Sequence, residues 1–149
     1  MKHLKKYTLF EAVKPGAVQE LTGSQKEWLD LCTIESWKFH PRTGLVDVVG
    51  NFRCQRQSLK DFMGVRFGIV RGDFLCSENS LTSLEGAPKK VTGKFDCREN
   101  NLTTLKGAPQ HVGGNFICSN NQLTSLEFGP MKVGGFYTCI DNSLTSLKG

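Results

Sequence analysis

Along the second half of the chain the apolar positions repeat as a block. Phe74, Phe95, Phe116 and Tyr137 each stand two residues before a cysteine, at Cys76, Cys97, Cys118 and Cys139. Asn79, Asn100, Asn121 and Asn142 stand three residues after it. Leu81, Leu102, Leu123 and Leu144 follow at five residues, and Leu84, Leu105, Leu126 and Leu147 at eight. Pro88, Pro109 and Pro130 keep the same spacing, as do Val91, Val112 and Val133. An earlier, degenerate unit aligns Gly50, Phe52, Cys54, Leu59, Phe62 and Gly64 with the block that starts at Gly72, and puts Gln57 in the Asn position. Side chains two apart share one face of a strand, so Phe and Cys point into a common core. The pattern predicts parallel strands, stacked about 4.8 Å apart, centred on Phe52–Cys54, Phe74–Cys76, Phe95–Cys97, Phe116–Cys118 and Tyr137–Cys139.

The remaining columns have physical roles in such a stack. The Asn side chain turns the chain out of the strand and pairs backbone groups that the turn would otherwise bury unpaired. Leu-x-x-Leu re-enters the core. Gly-Ala-Pro then begins a return that is too short for a full helix, so an extended or irregular back is expected. Ahead of the repeats, Ser24 and Glu27 have capping-box spacing and predict a helix over Gln25–Thr33. Trp37–Phe39 and Leu45–Val49 read as strands joined by a turn at His40–Gly44. Three regions result: a basic leader and linker over 1–23, an N-terminal cap over 24–49, and repeats over 50–149 with no clear C-terminal cap. The fold class is mainly β, a solenoid whose parallel sheet lines a concave face.

Composition narrows the function. The chain has 149 residues, 38% of them hydrophobic and 22% charged, which suits one domain. No apolar run approaches the roughly 18 residues of a membrane span, and the stretch after the basic start, Tyr7–Phe10, is too short for a signal-peptide core. The formal charge is +5. Residues 1–71 hold 12 Lys/Arg and 7 Asp/Glu, whereas residues 72–149 hold 7 of each. A neutral solenoid body argues against nucleic-acid binding along its length.

Candidate chemistry is sparse. The cysteines fall at 32, 54, 76, 97, 118 and 139, and the ladder is expected to pack as reduced, buried thiols. Stacked strands hold Cβ atoms too far apart for a disulfide, and ligands in a line make no tetrahedron for a metal. Reduced thiols suggest an intracellular compartment. Cys32 lacks a Phe two residues before it, so its spacing reads as coincidence. His3, His40 and His111 lie in no nucleophile or metal motif. No catalytic residue and no cofactor is therefore expected. Asp73, Glu78, Asp96, Glu99 and Asp141 read as solvated charges. Binding is assigned to the outward columns of the strands, which vary while the core columns hold: Arg53, Leu75, Asp96, Ile117 and Thr138, with Arg98 and Phe136 beside them. This mixture of apolar and charged side chains fits a protein-binding strip.

The segment Cys118-Ser119-Asn120-Asn121-Gln122-Leu123-Thr124-Ser125-Leu126 carries a family resemblance. The units are similar to the short bacterial class of leucine-rich repeats, and more closely resemble repeat proteins of tailed phages and some bacteria. At the N-terminus, Leu9-Phe10-Glu11 followed by Ala12 resembles the capsid-targeting leaders of phage internal proteins, which implies processing between Glu11 and Ala12. The resemblance implies a non-enzymatic protein-binding module that holds a host or phage protein and inhibits a defence factor in the host cytoplasm. The alternative is a structural or packaged virion component that self-associates through the C-terminal edge. Nucleic-acid binding through the basic N-terminal half ranks below both.

Overall fold

Each repeat turns because the residue two after its cysteine adopts a left-handed backbone. Glu78, Glu99, Asn120 and Asp141 have φ of 55°, 53°, 53° and 53°. The turn cuts each strand to two residues and points the next residue, Asn, back into the stack. In the computed structural model, which describes residues 19–148, these turns generate a β-solenoid of about four coils.

The elements in chain order are α1 (Gly23–Cys32), β1 (Ser36–His40), β2 (Leu45–Val49), β3 (Phe52–Arg53), β4 (Arg66–Arg71), β5 (Phe74–Leu75), β6 (Lys90–Val91), β7 (Phe95–Asp96), β8 (His111–Val112), β9 (Phe116–Ile117), β10 (Lys132–Val133) and β11 (Tyr137–Thr138). They form two sheets. One has the order β11-β9-β7-β5-β3, with all pairs parallel. It contains the strands that the Phe-x-Cys pattern predicts. The other has the order β1-β2-β4-β6-β8-β10 and is parallel except for the β1–β2 hairpin. The return is therefore extended, as expected, and also regular: Val91, Val112 and Val133 occupy a second parallel sheet. Strand β4, with Val65 before it and Phe67 and Val70 in it buried, has no counterpart in the sequence expectations.

The core between the sheets is a set of ladders. Phe52, Phe74, Phe95 and Phe116 are all fully buried, and their rings stack at 5.2, 5.5 and 5.5 Å with interplanar angles of 13°, 6° and 8°. Cys54, Cys76, Cys97 and Cys118 form the next ladder, and Leu81, Leu102 and Leu123 another. Burying one such Phe or Leu is worth about 1.5–3 kcal/mol, so each coil gains several times that from its three columns.

The Asn ladder ties the coils together. Asn100 Oδ1 accepts from the Leu81 N–H of the preceding coil at 3.0 Å. Its Nδ2 donates to Cys76 O in that coil at 3.1 Å, and to Cys97 O and Arg98 O in its own at 3.1 and 3.2 Å. Asn79, Asn121 and Asn142 repeat the arrangement. Gln57, at the head of this column, differs: its Oε1 accepts from Trp28 Nε1 at 2.9 Å and so fastens α1 to the first coil.

The cap differs from expectation in its frame. The capping box joins Thr22 and Gln25, not Ser24 and Glu27, and the helix starts at Gly23. Both pairs have the right spacing, but the Thr22 frame buries Gln25, Trp28, Leu29 and Cys32 along one face and leaves Leu31 outside. Gln25 also donates to Met63 O at 2.9 Å, which only an inward side chain can do. Trp28 meets Phe52 edge-on at 5.2 Å and closes the aromatic ladder. Cys32 is no strand residue, as expected, but it is buried at the head of the thiol column. The strands of the cap are not a separate layer, because β2 pairs with β4 in the six-stranded sheet.

Two stability measurements test this architecture. Asn100→Ala leaves the buried Leu81 N–H without its acceptor and takes one of two donors from each of three carbonyls, so urea unfolding should show a loss of about 1–3 kcal/mol. Glu99→Asn replaces a residue that is costly in the left-handed region by one that tolerates it, as Asn120 does. It should raise stability by up to about 1 kcal/mol. An unchanged midpoint for Asn100→Ala would show that the ladder carries no net stability.

Candidate interaction surface

The outward residues of the five-stranded sheet lie in one register line. Arg53 pairs with Leu75, Leu75 with Asp96, Asp96 with Ile117 and Ile117 with Thr138. Four strand spacings make this line roughly 19 Å long. Arg53 is exposed, and Leu75, Ile117 and Thr138 are half-buried. Arg98 is exposed one position beyond the cysteines, and Phe136 is 77% exposed on the other flank. Ile140 adds a second exposed apolar side chain.

Asp96 departs from the expected solvated charge, being only 2% exposed. Its Oδ1 accepts from Arg98 N at 3.3 Å, and its Oδ2 lies 3.6 Å from Arg98 Nε. A carboxylate this buried needs a charge partner, and Asp96 instead positions the Arg98 guanidinium on the surface. The flanking column is also partly structural. Asn51 Oδ1 accepts from Asp73 N at 2.8 Å, Asp73 from Lys94 N at 2.7 Å and Asn115 from Phe136 N at 2.8 Å. Lys94 cannot accept, so it interrupts this second ladder. The signal for these roles is a short Asn or Asp side chain directly before Phe52, Phe74 and Phe116.

The other candidates scatter. Glu78 pairs with Arg56 at 2.6 Å, and that guanidinium holds its carboxyl below the ordinary range. His40, expected in a solvated turn, ends β1 half-buried with its Nε2 3.2 Å from Asp47 Oδ2. A cleft of about 540 Å3 beside β4 is lined by Leu45, Asp61, Arg66, Phe67, Glu85 and Lys89, a mixed set with no convergent chemistry. No group of three or more His, Cys, Asp or Glu side chains that could hold a metal occurs among the described residues. Glu11 and Ala12, the expected processing pair, lie outside the described residues. None of the described helices is long and apolar enough to cross a membrane.

The thiols are free and, except for Cys139, buried. Burial pushes Cys54, Cys76 and Cys97 well above the ordinary 9.0, and Cys118 up to about 12. These groups are ladder members and not nucleophiles, since a reactive thiol needs a lowered pKa. Burial raises the Tyr137 phenol as well.

Comparison with protein-family models, with curated proteins and with solved structures finds no match to this chain.

The thiol ladder sets an alkaline limit. Above about pH 9 the unfolded thiols ionise while the folded ones stay protonated, so the folded state binds more protons and stability falls as pH rises. Each such thiol contributes about 1.4 kcal/mol per pH unit. Melting temperatures should drop steeply between pH 8 and pH 10, and less so in Cys97→Val. Equal slopes for the two proteins would mean that Cys97 already ionises in the folded state.

Proposed function

We propose that this chain is a non-enzymatic protein-binding module of the leucine-rich-repeat kind, and that the outer face of its five-stranded sheet holds the partner. The observation that carries the reading is the arrangement of Leu75 and Ile117 on either side of the Asp96–Arg98 pair, with Phe136 and Ile140 exposed beyond them. Apolar anchors around one positioned guanidinium are what protein interfaces favour. Single exposed apolar side chains are ordinary on any surface, whereas these four share one sheet face. The likeness of the Cys118–Leu126 segment to phage repeat proteins supports a host or phage protein as the partner, and inhibition of a host defence factor in the cytoplasm as the outcome.

A packaged or structural virion component is the second reading. It is favoured by β10 and β11 being edge strands whose coil leaves Phe128, Met131 and Leu147 exposed. Exposed apolar side chains of this kind can pack against another copy. Sedimentation over a range of concentrations separates the readings, since self-association would appear there without any partner.

The test of the main reading replaces Leu75 and Ile117 together by Thr. Glu is unsuitable, because both positions oppose Asp96 in register and like charges across strands destabilise. Thr keeps β propensity and removes the apolar anchors. Affinity capture followed by mass spectrometry should recover at least tenfold less of the specific partner, with the melting temperature shifted by only a few degrees. The matched control is Thr103→Ala with Gln122→Ala on the turn side, which should capture normally. Undiminished capture by the Leu75/Ile117 variant would show that the partner sits elsewhere.

A further inference from the structure

The fold sorts charges by face, which the linear count conceals. Lys90, His111 and Lys132 pair in register across β6, β8 and β10, and all three are exposed on the outer side of the six-stranded sheet. Lys89 stands beside this row, Lys38 lies on β1, and Arg66 and Arg71 end β4. Asp47 is the one acidic residue in the strands of this sheet. It is already engaged, by the Ile69 N–H at 2.8 Å and by His40. The acidic residues of the repeats are placed elsewhere. Glu78, Glu99 and Asp141 occupy the left-handed turns, and Glu85 and Glu127 follow the second leucine. The neutral total over residues 72–149 thus conceals three lysines, Lys89, Lys90 and Lys132, gathered at one sheet face.

Among the described residues, no ion pair involves Lys89, Lys90 or Lys132. Lys90 and Lys132 stand two strands apart, one on either side of His111. Protection of an edge accounts for Lys132 on β10, but not for Lys90 two strands inside.

We infer that this face binds the sugar–phosphate backbone of a nucleic-acid duplex, independently of the protein-binding reading. From β1 to β10 the sheet spans five spacings, roughly 24 Å, against about 34 Å for a duplex turn. A single strand would need exposed aromatic side chains to stack its bases. Trp37 and Phe39 of β1 instead pack against the core. A protein partner would need a cluster of apolar anchors, and the exposed apolar side chains at this sheet, Val49 on β2 and Met131 beside β10, lie four strands apart. What remains is phosphate contact, which is strong at low salt and indifferent to sequence.

The experiment is fluorescence anisotropy of the full chain with a labelled 30-base-pair DNA duplex, over a series of salt concentrations. Lys90→Glu with Lys132→Glu is compared with Lys106→Glu plus Lys148→Glu, which changes the net charge equally away from this face. The first pair should weaken binding at least tenfold and lower the salt slope by about two, near 0.9 per lost phosphate contact. The control pair should lose less than threefold. Circular dichroism melts verify folding, and Lys89→Glu, off the paired row, should lose severalfold by itself should the double variant unfold. The inference is overturned by absence of salt-dependent binding to the duplex, by equal losses in the two pairs, or by tighter binding of polyglutamate than of duplex.

Discussion

One asparagine per coil governs this structure. A strand of two residues makes few ladder bonds, and the tight turn that ends it would leave carbonyls facing the interior. The Asn100 amide answers both problems, because its oxygen takes the N–H of the coil before while its nitrogen serves carbonyls of both coils. Aspartate lacks the donors for this and glutamine is one methylene too long. The chain itself illustrates the second point. Where Gln57 replaces Asn, its side chain reaches out to Trp28. An amide held at one place in every coil also fixes the register, so an added or lost residue between two asparagines would break bonds in both coils.

Fixed register forces like onto like. Phe must stack on Phe, at 5.5 Å in the middle of the array, and Cys on Cys. Cysteine suits its column because it is small and apolar enough to fill the space beside the rings. The same packing raises the thiol pKa values, so the group that makes the ladder compact also makes it sensitive to alkali. Both ends of the Phe column change character. Phe52 receives Trp28 edge-on, and Tyr137 tilts 57° against Phe116, placing a ring with a polar tip where exposure begins.

The strands, the core columns and the bonding role of Asn were legible because each rests on strict periodicity. Phe95 and Cys97 cannot be read except as inward residues of a strand. The cap was legible as a helix followed by a hairpin, but its frame was not, since Ser24/Glu27 and Thr22/Gln25 both satisfy the spacing and only tertiary contacts to Met63 and Gln57 choose between them. Strand β4 was missed because it belongs to the degenerate coil, where Arg66–Arg71 has no repeated partner against which to align. In the outward columns, variation was taken to mean exposure. Asp96 breaks that equation, for it varies and is buried. Its neighbour two residues on, Arg98, supplies the charge that permits burial, and such a pairing across one turn leaves no periodic trace.

Charge is the property that the linear order hides most. Counting along the chain divides it into a basic half and a neutral half, yet the fold runs each repeat through both sheets. Lys90 and Asp96 are close in sequence but lie on opposite sheets, whereas Lys90 and Lys132 are far apart and share one row. A solenoid therefore carries two independent surfaces on one core. The five-stranded sheet presents Leu75, Ile117 and Arg98, and the six-stranded sheet presents Lys90, His111 and Lys132. The outward residues of each sheet vary from coil to coil while the Asn, Phe and Cys ladders between them repeat, so the chemistry of either face is set apart from the core.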